Sequence, residues 1–235
     1  MLDIINNKFA DHPTIRFYCT SCRKFFDVYS NCGVRSCPVC RYKQFNRLYS
    51  GYIDFVQREK PNNLLTLTIV NQPYILRAWV HSIRTNFSKL LRRVYYKSRI
   101  SGGMYTIECI NKGNDWNVHL HAIISSDEIP KSRLSTDWHI LTGDSYIVDI
   151  EPIESIEKAF RYILKDFMKT PPLNGQENEY NEAMRRFRFV SKFGTWYKVS
   201  PKSLSSGKCP HCGSLDLLSE YYLDSQIRIM HNLDP

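Results

Sequence analysis

The 235-residue chain holds no apolar run approaching the 18 residues that a membrane-crossing helix needs. Its opening, MLDIINNKFADH, lacks the charged and then apolar pattern of a signal peptide. No G-x-x-x-x-G-K-[ST] loop occurs, so the chain is not expected to drive a helicase with ATP. Internal repeats and low-complexity segments are also missing. Together these absences leave a soluble, intracellular protein as the expectation.

What is present is globular in kind: 43% hydrophobic and 13% aromatic residues, enough for a buried core. A net charge of +9 points to a polyanionic partner, with nucleic acid the default. Eight cysteines in an intracellular chain read as metal ligands rather than disulfides. Cys19-x2-Cys22 and Cys37-x2-Cys40, with Cys32 between, have the spacing of two zinc knuckles closing one tetrahedral site. The third pair, Cys209 and Cys212, either borrows ligands from the N-terminal cluster or uses a histidine. Seven cysteines plus one histidine would fill two zincs. Cys109, beside apolar neighbours, reads as a core residue.

The coarse order is a metal-stapled segment over 1–40, a basic helix over 41–59 and a buried strand over 64–70. A long helix opened by Pro73 follows, with an apolar stripe from Leu76 to Val94, ended by Gly102-Gly103. Strands are expected over 104–110, 116–125 and 145–153, then a helix, a loop over 170–182 and a late strand or hairpin over 186–199. This order predicts an α+β fold, an antiparallel sheet with helices packed on one face, plus a zinc-ribbon-like cysteine module. The expected division is 1–60, 61–200 and 201–235.

In WNVHLHAIIS, residues 116–125, His119 and His121 share one strand face while Val118, Leu120, Ala122 and Ile124 share the other. A two-residue turn at Gly113-Asn114 sets Glu108 directly opposite His119. A four-residue loop sets it opposite His121, on the same face. One carboxylate and two imidazoles make a three-ligand site with open positions, the arrangement of a catalytic metal, with Mn²⁺ or Mg²⁺ the expected ion. The face is expected to meet solvent, so that losing His121 would spare the fold.

Over 153–169, Ile156, Ala159, Phe160, Ile163, Leu164 and Phe167 form an apolar stripe. Lys158, Tyr162, Lys165 and Lys169 fall roughly opposite it. A phenol among ammonium groups is a candidate nucleophile, because the cations favour the phenolate and screen an approaching phosphate. Arg35, Arg41, Lys43 and Arg47, beside the first knuckles, read as a basic edge for DNA, joined by Lys158 and Lys169.

LLTLTIVN, HLHAI and YILK resemble, in order and spacing, the three motifs of rolling-circle replication initiators (Rep proteins) of the HUH endonuclease superfamily. CGVRSCPVCRYKQ and YTIECINKGNDWNVHLHAI look like the plasmid Rep branch, and the resemblance spans roughly 32–196. It implies a metal-dependent nickase of single-stranded or hairpin origin DNA. Tyr162, with Lys165 of the same motif, would attack phosphorus, keep the 5′-phosphate and free a 3′-OH. It also implies host helicase and polymerase partners and a cytoplasmic setting in a prokaryotic cell, its plasmid or its virus. One departure stands out: some plasmid Rep proteins carry a glutamate for termination where this chain has Lys158. The alternatives are an HUH-type transposase or relaxase and, from another class, a non-catalytic zinc-ribbon DNA-binding regulator.

Overall fold

A computed structural model describes residues 14–29, 31–32, 34–74, 77–111, 113, 115–168, 175–201 and 207–219. The chain divides into two compact units: residues 1–34 with 203–235, and residues 35–202. The expected three-part division differs in both places. The basic helix belongs to the larger unit, and the C-terminal segment joins the N-terminal one.

The smaller unit is built on three antiparallel strands, β1 (Thr14–Cys19), β2 (Phe25–Tyr29) and, from the far end of the sequence, β8 (Leu217–Ser219). β1 lies in the middle, pairing Phe17 with Phe26 on one side and with Ser219 on the other.

The larger unit holds a five-stranded antiparallel sheet in the order β6-β3-β5-β4-β7. Its strands are β3 (Asn63–Thr68), β4 (Ile100–Asn111), β5 (Trp116–Ser126), β6 (Val148–Pro152) and β7 (Ser191–Gly194). Alternation in β5 sends Val118, Leu120 and Ala122 into one core and Ile123 into another. The β4–β5 hairpin has the register a two-residue turn demands, with Asn111 opposite Trp116 and Glu108 opposite His119. Gly113 supplies a φ of 88° at that turn, a conformation that costs other residues a steric penalty.

Gly102 and Gly103 lie inside β4 rather than ending a helical unit. A Cβ on Gly103 would sit 2.5 Å from the Ile123 carbonyl oxygen, so close strand approach selects glycine there.

Seven helices are described: α1 (Pro38–Glu59), α2 (Arg77–Arg92), α3 (Val94–Arg99), α4 (Lys131–Thr142), α5 (Ile156–Ile163), α6 (Lys165–Met168) and α7 (Glu177–Ala183). They cover both sheet faces, not one. On one side Val80, Ile83, Phe87 and Leu90 of α2, Tyr96 of α3 and Trp138 of α4 pack on Leu65, Leu67 and Leu120. On the other, Phe45, Tyr52 and Phe55 of α1 and Phe160 and Ile163 of α5 pack on Met104 and Ile123. Each such large apolar side chain contributes about 1.5–3 kcal/mol on burial.

The long helix expected from Pro73 breaks at Arg93, whose extended backbone caps α3. Val94 is consequently 85% exposed and leaves the stripe, while Leu76 lies outside the described residues. α7 forms where a loop was expected because Tyr180 and Ala183 bury one turn apart. The late strand shrinks to the four residues of β7. α4 escaped the sequence reading because only Leu134 and Trp138 are buried along its length.

Candidate active site

β3, β5 and β4 carry the site on adjacent positions. Thr66 pairs with His121 and Thr68 with His119 across β3–β5, while Glu108 pairs with His119 across β4–β5. Same-face neighbours then meet. Thr66 Oγ1 lies 3.0 Å from His121 Nδ1, and Thr68 Oγ1 lies 3.0 Å from His119 Nδ1. Each hydroxyl fixes its ring and turns Nε2 outward, the role of a ligand-orienting partner. The threonines were missed in the sequence, although two hydroxyls spaced two apart in LLTLTIV were the available signal.

His121 Nε2 is 2.8 Å from Glu108 Oε2. Two cis ligands of an octahedral ion, each about 2.1 Å from it, stand about 3.0 Å apart, so this pair fits one small divalent cation. His119 lies outside this close pair. Among the described residues only cysteine groups bring three or more donor atoms within 4.8 Å of one another.

Part of the site is buried, contrary to the solvent-facing strand expected: His121 is 4% and Glu108 6% exposed, while His119 is half-buried. The cover is α5 and the turn after it. Tyr162 meets the His121 ring edge-on, centroids 5.2 Å apart, and is itself 39% exposed. Lys165 Nζ sits 3.9 Å over the Tyr162 ring and 3.5 Å from Glu108 Oε2. Burial works to raise the Glu108 carboxyl, but the His121 hydrogen bond, Lys165 and the imidazoles together hold it below its ordinary value.

Helix α5 ends at Ile163, whose carbonyl accepts a hydrogen bond from Thr106 Oγ1 at 2.7 Å. That bond pins the Tyr162–Lys165 turn to the strand that carries Glu108. The structure therefore brings Glu108, His119, His121, Tyr162 and Lys165 into one place. A cleft of about 660 Å³ opens beside them, lined by Tyr162, Thr66, Lys158, Ser155, Asp149 and Glu151. Glu157, the acid nearest to Tyr162 on its N-terminal side, is held away by Tyr49 at 2.9 Å and Arg161 at 3.1 Å.

The basic edge is corrected in part. Arg41 is 1% exposed and pairs with Asp166 at 2.9 Å and Tyr180 Oη at 3.0 Å, so it faces inward. Burial keeps the Asp166 carboxyl above its ordinary value even with Arg41 against it. Arg35 donates to the Phe187 carbonyl and stacks 3.3 Å over the Phe189 ring. Arg47 and Lys158 are exposed, Lys43 is half-buried, and Lys169 lies outside the described residues.

The cysteines sort differently from their order in the chain. Cys19 and Cys22 gather with Cys209 and Cys212, not with Cys37 and Cys40. Cys19 Sγ is 3.6 Å from Cys212 Sγ, and Cys22 Sγ is 3.6 Å from Cys209 Sγ. A tetrahedron with Zn–S of about 2.3 Å has edges of about 3.8 Å, so the four sulfurs fit a structural zinc. The backbone N–H of Cys22 brings the Cys19 thiol down to about 7, whereas desolvation among its sulfur neighbours pushes Cys22 up to about 12. The four cysteines could together hold a metal ion. Cys37 and Cys40 lie within 4.8 Å of one another at the start of α1 in the larger unit. Cys32 belongs to the smaller one. Cys109 is a core residue as expected, 1% exposed, its thiol raised by burial.

Among the described residues no helix is long and apolar enough to cross a membrane. No curated protein and no solved structure matches the chain. A family model described as "Replication protein" matches residues 24–141, half of its length. The match takes in Glu108, His119 and His121 and stops before Tyr162.

Proposed function

The chain belongs to the replication protein family, and on that footing we propose that it is a metal-dependent, site-specific single-strand DNA nickase initiating rolling-circle replication. The observation that carries this reading is the position of Tyr162. A partly exposed phenol stands edge-on to His121, beneath Lys165, at the mouth of a cleft.

In the proposed step the Tyr162 oxygen attacks the phosphorus of a phosphodiester laid in that cleft. The new O–P bond forms as the bond from phosphorus to the 3′ oxygen breaks, and its electron pair leaves with that oxygen. The phenol gives up one proton and the 3′ oxygen takes one, so a 5′-phosphotyrosine and a free 3′-OH result with no net proton change. Lys165 faces both the phenol and Glu108 and counters negative charge gathering at phosphorus. Glu108, His119 and His121 would hold Mn²⁺ or Mg²⁺, which when bound supplies Lewis-acid polarisation of the phosphate. Thr66 and Thr68 keep the two imidazoles aimed. Cys19, Cys22, Cys209 and Cys212 would hold a structural zinc, with Cys37 and Cys40 offering thiolates for a second.

Labelled single-stranded oligonucleotides incubated with Mn²⁺ test the chemistry. The wild-type chain should form a covalent adduct stable on a denaturing gel. Tyr162→Phe should abolish it while DNA affinity stays nearly intact, because affinity draws on many cations rather than one phenol. An adduct of undiminished yield would reassign the nucleophile. Tyr197, 67% exposed, would then be the candidate, because Tyr180 is buried at 1%.

A further inference from the structure

Between Glu59 and Glu108 the chain runs 48 residues without an Asp or Glu, yet that stretch holds eight Lys and Arg. α2 lies at its centre. At 100° per residue, Arg84, Arg77, Ser88, His81, Arg92, Thr85 and Lys89 occupy one arc of roughly 140°, with Ala78 the only apolar residue in it. Val80, Ile83, Asn86, Phe87 and Leu90 fill the opposite, buried side. Arg77, Arg84, Lys89 and Arg92 are exposed, and among the described residues none of the ion pairs includes them. Arg77 alone is anchored, donating to the Arg185 carbonyl and lying 5.0 Å from the Phe187 ring centroid.

A solvated helix face ordinarily mixes its charges, since like charges three and four apart destabilise a helix by about 0.2–0.5 kcal/mol per pair. On α2 Lys89 and Arg92 stand three apart, and Arg77 and Arg84 join the same arc with no Asp or Glu anywhere on the helix to offset them. The natural complement is a polyanion.

We propose that the outer face of α2 is a second nucleic-acid surface, which binds the phosphate backbone of duplex DNA independently of sequence. α2 packs on the sheet face opposite the one that carries Tyr162, so its cations cannot serve the strand being cut. From Arg77 to Arg92 the stripe runs about 22 Å, at about 1.5 Å per residue. Duplex DNA presents one charge per about 1.7 Å of axis along such a length, whereas the convex arc offers no Phe, Tyr or Trp ring on which a single strand could stack. The inference rests on the family's DNA binding and not on the nicking step.

The test uses the full-length chain carrying Arg84→Glu, Lys89→Glu and Arg92→Glu together, with Gln at the same positions as a milder second variant. Binding of a blunt, fluorescent duplex is measured over a range of salt, alongside cutting of a short single-stranded oligonucleotide with Mn²⁺. Duplex affinity should fall at least about tenfold, and the slope of log K against log salt should flatten by roughly 2–3. Single-strand binding should change far less, and any cutting should stay within about twofold of wild type. Unchanged duplex affinity and slope in either folded variant would overturn the proposal, including in favour of an acidic protein partner. A wild-type chain that binds duplex but cuts nothing would instead count against the nickase reading and leave this comparison readable.

Discussion

The two units of the chain are held together by different physics. Residues 35–202 carry 26 Lys and Arg against 16 Asp and Glu, whereas residues 1–34 with 203–235 carry six against seven. The larger unit thus owns the whole positive charge, and it also owns both apolar cores. In the smaller unit Cys19 and Cys209 are the only buried apolar side chains among the described residues, while Ile15, Phe25 and Val28 are 42%, 57% and 43% exposed. A net charge averaged over the chain concealed this split. The cysteine-rich part is near neutral, so the charge that would attract a polyanion resides in the larger unit, and the cysteine cluster stands where a core would be.

The sharpest way to break this contrast is to remove the metal. Cys209→Ser, or a strong chelator, should strip about one zinc per chain, with a binding free energy on the order of 10 kcal/mol lost to the smaller unit. Hydrogen exchange should then accelerate throughout β1, β2 and β8 while the five-stranded sheet stays protected. Protection unchanged in β1, or no zinc by elemental analysis of protein purified without chelator, would remove the metal from the account.

A smaller loss is expected inside the larger unit from Arg41→Met. It leaves Asp166 buried without its cation, which should lower unfolding free energy by about 3–5 kcal/mol in a denaturant titration. The zinc content should not change. A cost below about 1 kcal/mol would mean that water or another group reaches Asp166.

The smallest effect belongs to His121→Ala. Because the ring is buried and bonded to both Thr66 and Glu108, its removal should lower stability by about 1–3 kcal/mol in addition to ending ion-dependent cleavage. Thermal melting that matches wild type would restore the solvent-facing site expected from the strand pattern alone. Cleavage by this variant in excess EDTA would end the metal role.

What the sequence disclosed was local. A turn signal at Gly113-Asn114 and alternation on either side place Glu108 on the face of His119 and His121 by counting, and of the two registers left open the one set by a two-residue turn, opposite His119, is found. The apolar stripe of residues 156–167 likewise foretold which side of α5 packs, because helical period is a property of a few turns. What failed was long-range. Spacing favoured Cys37 and Cys40 as partners of Cys19 and Cys22, and only one of the two readings of the third pair, that it borrows from the N-terminal cluster, matches the grouping found. The burial of His121 depends on α5 folding back over β5, which alternation within one strand cannot report. Arg41 looked like any surface cation until Asp166, 125 positions later, turned out to face it.

The four-cysteine cluster has a consequence for the order in which the molecule is made. Cys22 and its neighbour Cys209 are 187 positions apart, and the whole larger unit lies between them in sequence. At about 5–20 residues per second, a ribosome delivers the second pair of thiols roughly 10–40 s after the first. Through that interval β1 lacks its β8 neighbour and two cysteines wait without their counterparts, while everything from α1 to β7 can already have folded. Closure of the four-cysteine site therefore waits for the C-terminal pair of cysteines, and the pairing of β1 with β8 waits for Leu217–Ser219.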